Sequence, residues 1–258
     1  MRPAWGNPLR VAVASAIFMT PFLNVLGHAA FPAAAVVVGG IAASIRAPGP
    51  TTQSAVQHFA AGVVFAALAT ELLPDVMHRR MPLVTIVGFA LGVIVMLGLK
   101  ALTERPQQEG SAQGRRPTGL LIALGVDIAL DGLLIGVGFA AGEKQGLLLT
   151  IALTLEVLFL GVSAATALSG AGASRATIAS TTAGLGALLL VGAGAGAAVL
   201  SGMSGAVLDG VLSFGVAALL YLVTEELLVE AHEAPETPFL SATFFVGFLV
   251  LLVTEMLI

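Results

Sequence analysis

Stretches of about 20 apolar residues follow one another along almost the whole chain, and each is long enough for a helix to cross a bilayer. Only 10% of the 258 residues are charged, whereas soluble domains average about 25%. Glycine is abundant, and small residues let helix backbones approach closely in lipid. This pattern predicts an all-α, polytopic membrane protein with the lipid bilayer as its main partner.

We predict eight transmembrane helices in a single transmembrane domain, residues 1–258. The expected spans are residues 24–45, 53–74, 82–102, 118–141, 147–168, 175–200, 206–230 and 238–257. Residues 1–23 are expected to form an N-terminal extension with a kinked helical part, and residues 104–117 a flexible cytoplasmic loop. Residues 10–27 leave two further interpretations open, an additional span or a signal peptide.

The distribution of Lys and Arg over the loops encodes the orientation only weakly. With the N-terminus outside, six basic residues fall on the inner side and five on the outer side. This excess is small for the positive-inside rule. A ninth span within residues 10–27 would change the distribution to eight against three.

Three acidic residues lie in the middle of the chain, within spans 4 and 5. Asp127 and Asp131 are four residues apart, so they share one helical face, and Glu156 lies near the centre of span 5. A charge at the bilayer centre costs at least about 2.5–3.5 kcal/mol and therefore needs a partner. Because these spans contain no base, we expect either a cation or protons. Our hypothesis is a metal ion; the alternative is protonated acids that hydrogen-bond between helices.

A shift of 155 residues reveals an internal repeat. It places Glu71 on Glu226, and Gly92 on Gly247. The two segments are five crossings apart, so they cross the membrane in opposite directions. Inverted repeats of this kind, here spans 1–3 and 6–8, are common in secondary transporters, whose binding sites lie near the membrane midplane.

The repeat also predicts polar residues at both ends of a cation pathway. These candidates for a pathway or gate are Glu71 near one face and Glu225, Glu226, Glu230 and His232 near the other, with His58 at the start of span 2. The alternative for each is an ordinary solvated or interfacial helix end.

The chemistry of the central site favours hard or borderline ions. Three carboxylates offer only oxygen ligands, whereas imidazole and thiolate favour Zn²⁺ and softer ions. The chain has no cysteine, and the two central spans have no histidine. Mn²⁺ or Fe²⁺ is therefore favoured over Zn²⁺ as the transported substrate, and no catalytic cofactor is expected.

Three segments resemble the ZIP (Zrt/Irt-like) family of metal transporters. The runs HFAAG (58–62) with ELLP (71–74), DGLLIGVGFAAG (131–142) and ALLYLVTEELLVEAH (218–232) are similar to the family's second, fourth and seventh helices. The resemblance extends over nearly all of the chain from span 2 onward. It implies eight helices in a 3+2+3 arrangement, both termini outside, and movement of a divalent metal through helices 4 and 5.

The metal-binding motifs depart from the family pattern. Where the fourth-helix motif has His, Asn, Pro and Glu, this chain has Asp127, Ile128, Leu130 and Asp131. In the fifth helix the leading ligand position is Glu156, and Leu160 replaces the motif glutamate. The resemblance therefore implies one carboxylate site of Asp127, Asp131 and Glu156 without a second site beside it.

The sequence predicts a permease for a divalent cation of the Mn, Fe or Zn class rather than an enzyme. An intramembrane aspartyl hydrolase is disfavoured because Asp127 and Asp131 share one helix. A ZIP-like scaffold with a different, proton-coupled substrate stays open, as does a non-transporting metal-binding or sensing relative. We expect a bacterial inner membrane protein that has no nucleic-acid partner; a homodimer is left open.

Overall fold

Every regular element of the computed structural model is a helix; it describes residues 8–103, 118–200, 203–232, 234–235 and 237–257. Within these residues, eight helices are long and apolar enough to cross a membrane. They are α1 (Pro8–Ile45), α2 (Pro50–Arg79), α3 (Pro82–Thr103), α4 (Thr118–Ala141), α5 (Glu143–Gly170), α6 (Arg175–Leu200), α7 (Ala206–Ala231) and α8 (Pro238–Leu257). The prediction of an all-α polytopic membrane protein is confirmed.

The eight helices cross in alternating directions, which defines two ends of the bundle. Odd-numbered helices end, and even-numbered helices begin, at the end that contains Lys100; we call it the Lys100 end. Even-numbered helices end at the opposite side, where Lys144 lies in the first turn of α5; we call it the Lys144 end. Polar residues near the two ends can therefore be assigned to one face or the other.

Two predicted boundaries are corrected by the structure. α2 does not stop at Pro74 but continues to Arg79. α5 begins at Glu143, so the polar segment 142–146 is reduced to the single residue Gly142 between two helices. α1 begins at Pro8, ahead of the expected span 1, and its apolar, membrane-length part is Phe22–Ile45. The expected flexible loop 104–117 lies outside the described residues.

The packing of the helices follows a two-fold pattern. The most extensive contacts join α1 to α5 and α4 to α6, followed by α2 to α8, α1 to α6 and α3 to α7. Exchanging helices 1–3 with 6–8, and α4 with α5, converts the pair of α1 and α6 into itself and each other pair into another pair of the same set. The packing therefore confirms the predicted arrangement of two inverted halves around α4 and α5.

Glycines make the close helix crossings possible. At the α4–α6 crossing, a Cβ on Gly132 would collide with the Leu189 carbonyl. At the α1–α5 crossing, Gly161 lies equally close to the Val36 carbonyl. Gly132 and Gly161 are 29 residues apart, the same shift that places Asp127 on Glu156. The same small-residue contact thus docks each central helix onto an outer one.

Two π-helical turns interrupt the inner helices at equivalent positions of the repeat. One is Leu68–Leu72 in α2 and the other is Leu222–Leu227 in α7. A shift of 155 residues superimposes nearly their whole length. Single π turns occur frequently at functional sites, and these two carry Glu71 and the pair Glu225 and Glu226.

Candidate metal centre

The three central acids converge in the interior of the bundle. α4 presents Asp127 and Asp131 one turn apart on the same face, and α5 brings Glu156 opposite them. One carboxylate oxygen from each residue lies within 4.8 Å of the others. The exposed fractions are 7% for Asp127, 0% for Asp131 and 1% for Glu156. The structure thus brings together the three residues that the sequence analysis grouped into a central site.

The cluster contains polar atoms without protein partners. Both oxygens of Asp131 and Oε2 of Glu156 are buried and have no hydrogen-bond partner among the described residues. Leaving a buried polar group unpaired costs about 1–3 kcal/mol, and more for a charged group. At Asp131 the structure gives no support to the alternative that the acids merely bridge helices by hydrogen bonds.

Three basic residues of the described part of the chain, Arg79, Lys100 and Lys144, pair with acids outside the central cluster. Lys100 Nζ lies 3.1 Å from Glu225 Oε2, and Lys144 Nζ lies 3.6 Å from Glu71 Oε1. No described Lys, Arg or His forms an ion pair with the three central carboxylates. Among the described residues, no cationic side chain therefore balances these carboxylates.

A cavity of about 270 Å³ connects the cluster with the Lys100 end. Asp127 and Glu156 contribute to its wall, together with Glu225, Glu226 and Glu230 from the last turns of α7. We call this cavity the vestibule. Asp127 lies nine residues into α4, about 14 Å along the helix axis at 1.5 Å per residue. An ion could therefore meet carboxylates from the mouth of the vestibule to its depth.

The predicted pathway residues differ in their surroundings. Glu225 is exposed and paired with Lys100, whereas Glu226 and Glu230 are half-buried in the vestibule wall. Glu71 is 5% exposed at the Lys144 end and shares Lys144 with Glu255, whose Oε1 is 3.7 Å from the ammonium. The expected acidic patch at each face thus includes a lysine.

His58 and His232 lie together at the Lys100 end. Their ring centroids are 5.1 Å apart. His58 is buried on α2, and His232 is exposed at the end of α7. Gln57 Nε2 donates a hydrogen bond of 2.6 Å to Glu230 Oε2, which joins the same two helices. Of these residues, Glu230 also lines the vestibule.

Sequence reasoning missed three polar groups that the structure places inside or against the bundle. Lys144 belongs to α5 rather than to a turn, and Glu255 joins it near the end of α8. Asp209 on α7 is fully buried; Thr85 Oγ1 donates to its Oδ2 at 3.4 Å, and its Oδ1 has no partner in the described structure. The internal repeat contained a signal for Glu255, because a shift of 155 residues places Lys100, which is also charged, on this position.

A second, larger cavity has a different character. It measures about 670 Å³ and lies between α3, α4, α6 and α7. Only apolar side chains and glycines line it. It therefore offers no side-chain ligand to an ion, unlike the vestibule.

Over the part of the chain that the structure describes, the fold and the site define an integral membrane protein of eight helices with a buried cluster of three carboxylates between α4 and α5. Comparison with models of known protein families finds no match to this chain. A search of curated proteins also finds no match.

Proposed function

We propose that the chain is a permease that moves a divalent metal cation through the site formed by Asp127, Asp131 and Glu156. One observation carries the proposal: three carboxylates meet in the interior without a basic partner among the described residues. A divalent cation supplies the missing positive charge and accepts the unpaired oxygens as ligands. The resemblance of helices 2, 4 and 7 to the ZIP family supports the same assignment.

The position of the vestibule supports a proposal about the side of the membrane to which the site is open. With both termini outside, the Lys100 end faces the cytoplasm, and the vestibule then joins the site to that side. At the opposite end, Lys144 lies between Glu71 and Glu255. Rocking of one helix bundle against the other would open the two ends alternately, as inverted repeats allow. We place the protein in a bacterial inner membrane.

The ligand set favours Mn²⁺ or Fe²⁺ as the transported substrate. All three central ligands are carboxylate oxygens, which suit hard ions and Mn²⁺, whereas imidazole and thiolate are the ligands that suit Zn²⁺. In uptake by a reconstituted protein, we expect Mn²⁺ and Fe²⁺ to compete with each other more effectively than Zn²⁺ competes with either.

Metal uptake into proteoliposomes tests the proposal. Neutralising the ligands by Asp131→Asn or Glu156→Gln is expected to reduce the Mn²⁺ uptake rate at least tenfold, because each change removes a charged ligand. Asp209→Asn is the matched control: Asp209 is equally buried but lies outside the cluster, so its variant should retain most of the uptake.

Three results would contradict the proposal. Uptake that survives both ligand substitutions would exclude the cluster from the pathway. Movement of protons without any dependence on metal would favour a proton-coupled transporter for a different substrate. Metal binding without uptake in the parent protein would favour a sensor.

A further inference from the structure

The histidine pair, defined here as His58 and His232, connects the two halves of the repeat at the Lys100 end. His58 lies near the start of α2, which belongs to the first half, and His232 follows the last turn of α7, which belongs to the second. Ser54 Oγ donates a 2.6 Å hydrogen bond to the Ala231 carbonyl and fixes the two helices beside each other. The pair lies outside the three-carboxylate cluster.

The hydrogen bonds define which ring nitrogen can bind a metal. Nδ1 of His58 lies 2.9 Å from the Ser54 carbonyl, and Nδ1 of His232 contacts the Leu228 carbonyl. A carbonyl can only accept, so Nδ1 carries the proton in each ring and a neutral ring has its lone pair on Nε2. Histidine ligands to metals typically have this arrangement, with the other ring nitrogen donating to a carbonyl or carboxylate.

The juxtaposition of two rings distinguishes this pair from the other histidines. His28 and His78 also direct Nδ1 to the carbonyl four residues earlier, so the hydrogen bond alone does not indicate a site. The rings of His58 and His232 have centroids 5.1 Å apart and planes inclined by 59°. Two imidazoles on one tetrahedral ion, with metal–nitrogen bonds of about 2.0–2.1 Å, have centroids about 5 Å apart.

Negative charge lies beside the pair. Glu230 precedes His232 by two residues on α7, and Gln57 donates to it from α2. Glu230 also lines the vestibule. A divalent cation at the histidine pair would therefore lie beside the wall of the vestibule and near the negative charge of Glu230.

We propose that the histidine pair is a second metal site, which takes a borderline ion of the Zn²⁺ class through the two Nε2 atoms. Its ligand chemistry is the opposite of that at the central cluster, which offers only oxygens. Imidazole suits Zn²⁺, Cu²⁺ and Ni²⁺ better than Mn²⁺. The site goes beyond the proposed transport, because it needs only the two rings and not the central carboxylates.

An ion at this site would join the two inverted halves. α2 and α7 each carry one ligand, so the bound ion holds them together at the Lys100 end. Relative movement of the halves there would require release of the ion. Zn²⁺ bound to the pair would thus oppose the rocking on which alternating access depends, and would inhibit transport of an ion that uses the central cluster.

Binding of Zn²⁺ to the purified full-length protein in detergent tests the site. The starting variant carries Asp127→Asn, Asp131→Asn and Glu156→Gln, which removes the central cluster. Calorimetric titration is expected to detect one remaining Zn²⁺ site, and X-ray absorption at the zinc edge is expected to show imidazole scattering. Adding His232→Ala should weaken this site at least tenfold, whereas adding His78→Ala should leave it unchanged.

The choice of variants keeps the result interpretable. His232 is exposed, so its replacement by alanine leaves the core intact, and a melting curve checks this. If the neutralised variant does not fold, the same titration of the parent protein should lose one Zn²⁺ site with His232→Ala. Equal Zn²⁺ affinities of the His232→Ala and His78→Ala proteins, or a spectrum without imidazole scattering, would overturn the proposal. Neither result depends on whether the protein transports metal.

Discussion

At the scale of residues, the arrangement of the central acids is unfavourable unless something neutralises it. Two ionised carboxylates whose oxygens lie within 4.8 Å of each other repel by at least about 3.5 kcal/mol at an effective dielectric constant of 20. Three such pairs exist among Asp127, Asp131 and Glu156. A fold that keeps them together therefore needs protons or a cation, and a divalent ion relieves all three repulsions at once.

Lys144 lies between Glu71 and Glu255, and removing the lysine should affect stability differently from neutralising one of its two partners. Lys144→Ala leaves two neighbouring carboxylates without their cation, one of them 5% exposed. Glu71→Gln leaves Lys144 beside Glu255 and accessible to water. We expect Lys144→Ala to lower the free energy of unfolding by about 1 kcal/mol, a value reduced by screening because Lys144 is 43% exposed. Glu71→Gln should have a smaller effect.

Thermal unfolding in detergent measures the difference. Lys100→Ala is a useful comparison, because its partner Glu225 is exposed and water can replace the lysine. A Glu71→Gln variant that is less stable than the Lys144→Ala variant would show that the buried carboxylate does not depend on its lysine.

At the scale of elements, close crossings determine how the outer helices meet the central ones. On α6, Gly192 faces the Ala129 carbonyl so closely that a Cβ would collide with it, whereas Gly184 has open space at that position. Gly192→Ala must push α6 away from α4. We expect a loss of about 1–3 kcal/mol, the range for overpacked sites, and a small gain or no change for Gly184→Ala. Melting temperatures of the two variants, measured in the same detergent, check this; equal values would contradict the crossing.

The π turns are also features of this scale, and the two turns share more than one residue. Pro74 follows the turn in α2, but the repeat places Val229 at the corresponding position of α7. Because both turns form, proline cannot be the common cause. The shared feature is a short Glu-Leu-Leu segment, and in each helix the turn places a glutamate near one end of the pathway.

At the scale of the whole molecule, the vestibule gives the protein an asymmetry that the repeat itself does not have. The chain has no cysteine, so single cysteines report accessibility without background. Ala123 lines the vestibule on α4, whereas Ala152 on α5 is fully buried away from it. We expect Ala123→Cys to react with a polar thiol reagent applied from the Lys100 side, and Ala152→Cys to remain unreactive.

Mn²⁺ should slow the reaction of Ala123→Cys, because an ion on Asp127 would occupy the same cavity. Fluorescent labelling in vesicles of known orientation measures both effects. A reaction of Ala123→Cys that proceeds equally from both sides, or that Mn²⁺ leaves unchanged, would contradict a one-sided vestibule leading to the cluster.

The sequence was sufficient for the number and character of the helices. Apolar stretches of bilayer length have one stable solution in lipid, because every backbone group must bond within its own helix. The pairing of Asp127 with Asp131 followed from the four-residue helical spacing, and the 155-residue shift revealed the inverted halves. These properties depend on local periodicity and repetition, which a single chain displays without its fold.

Only the tertiary structure decided which residues from distant helices face each other. Lys144 meets Glu71 and Glu255, His58 meets His232, and Asp209 is buried against α3. Hydropathy cannot predict these contacts, because the rotation of each helix about its axis is set by glycine crossings and π turns rather than by its overall composition. For the same reason, the vestibule at the Lys100 end became visible only when the helices were packed.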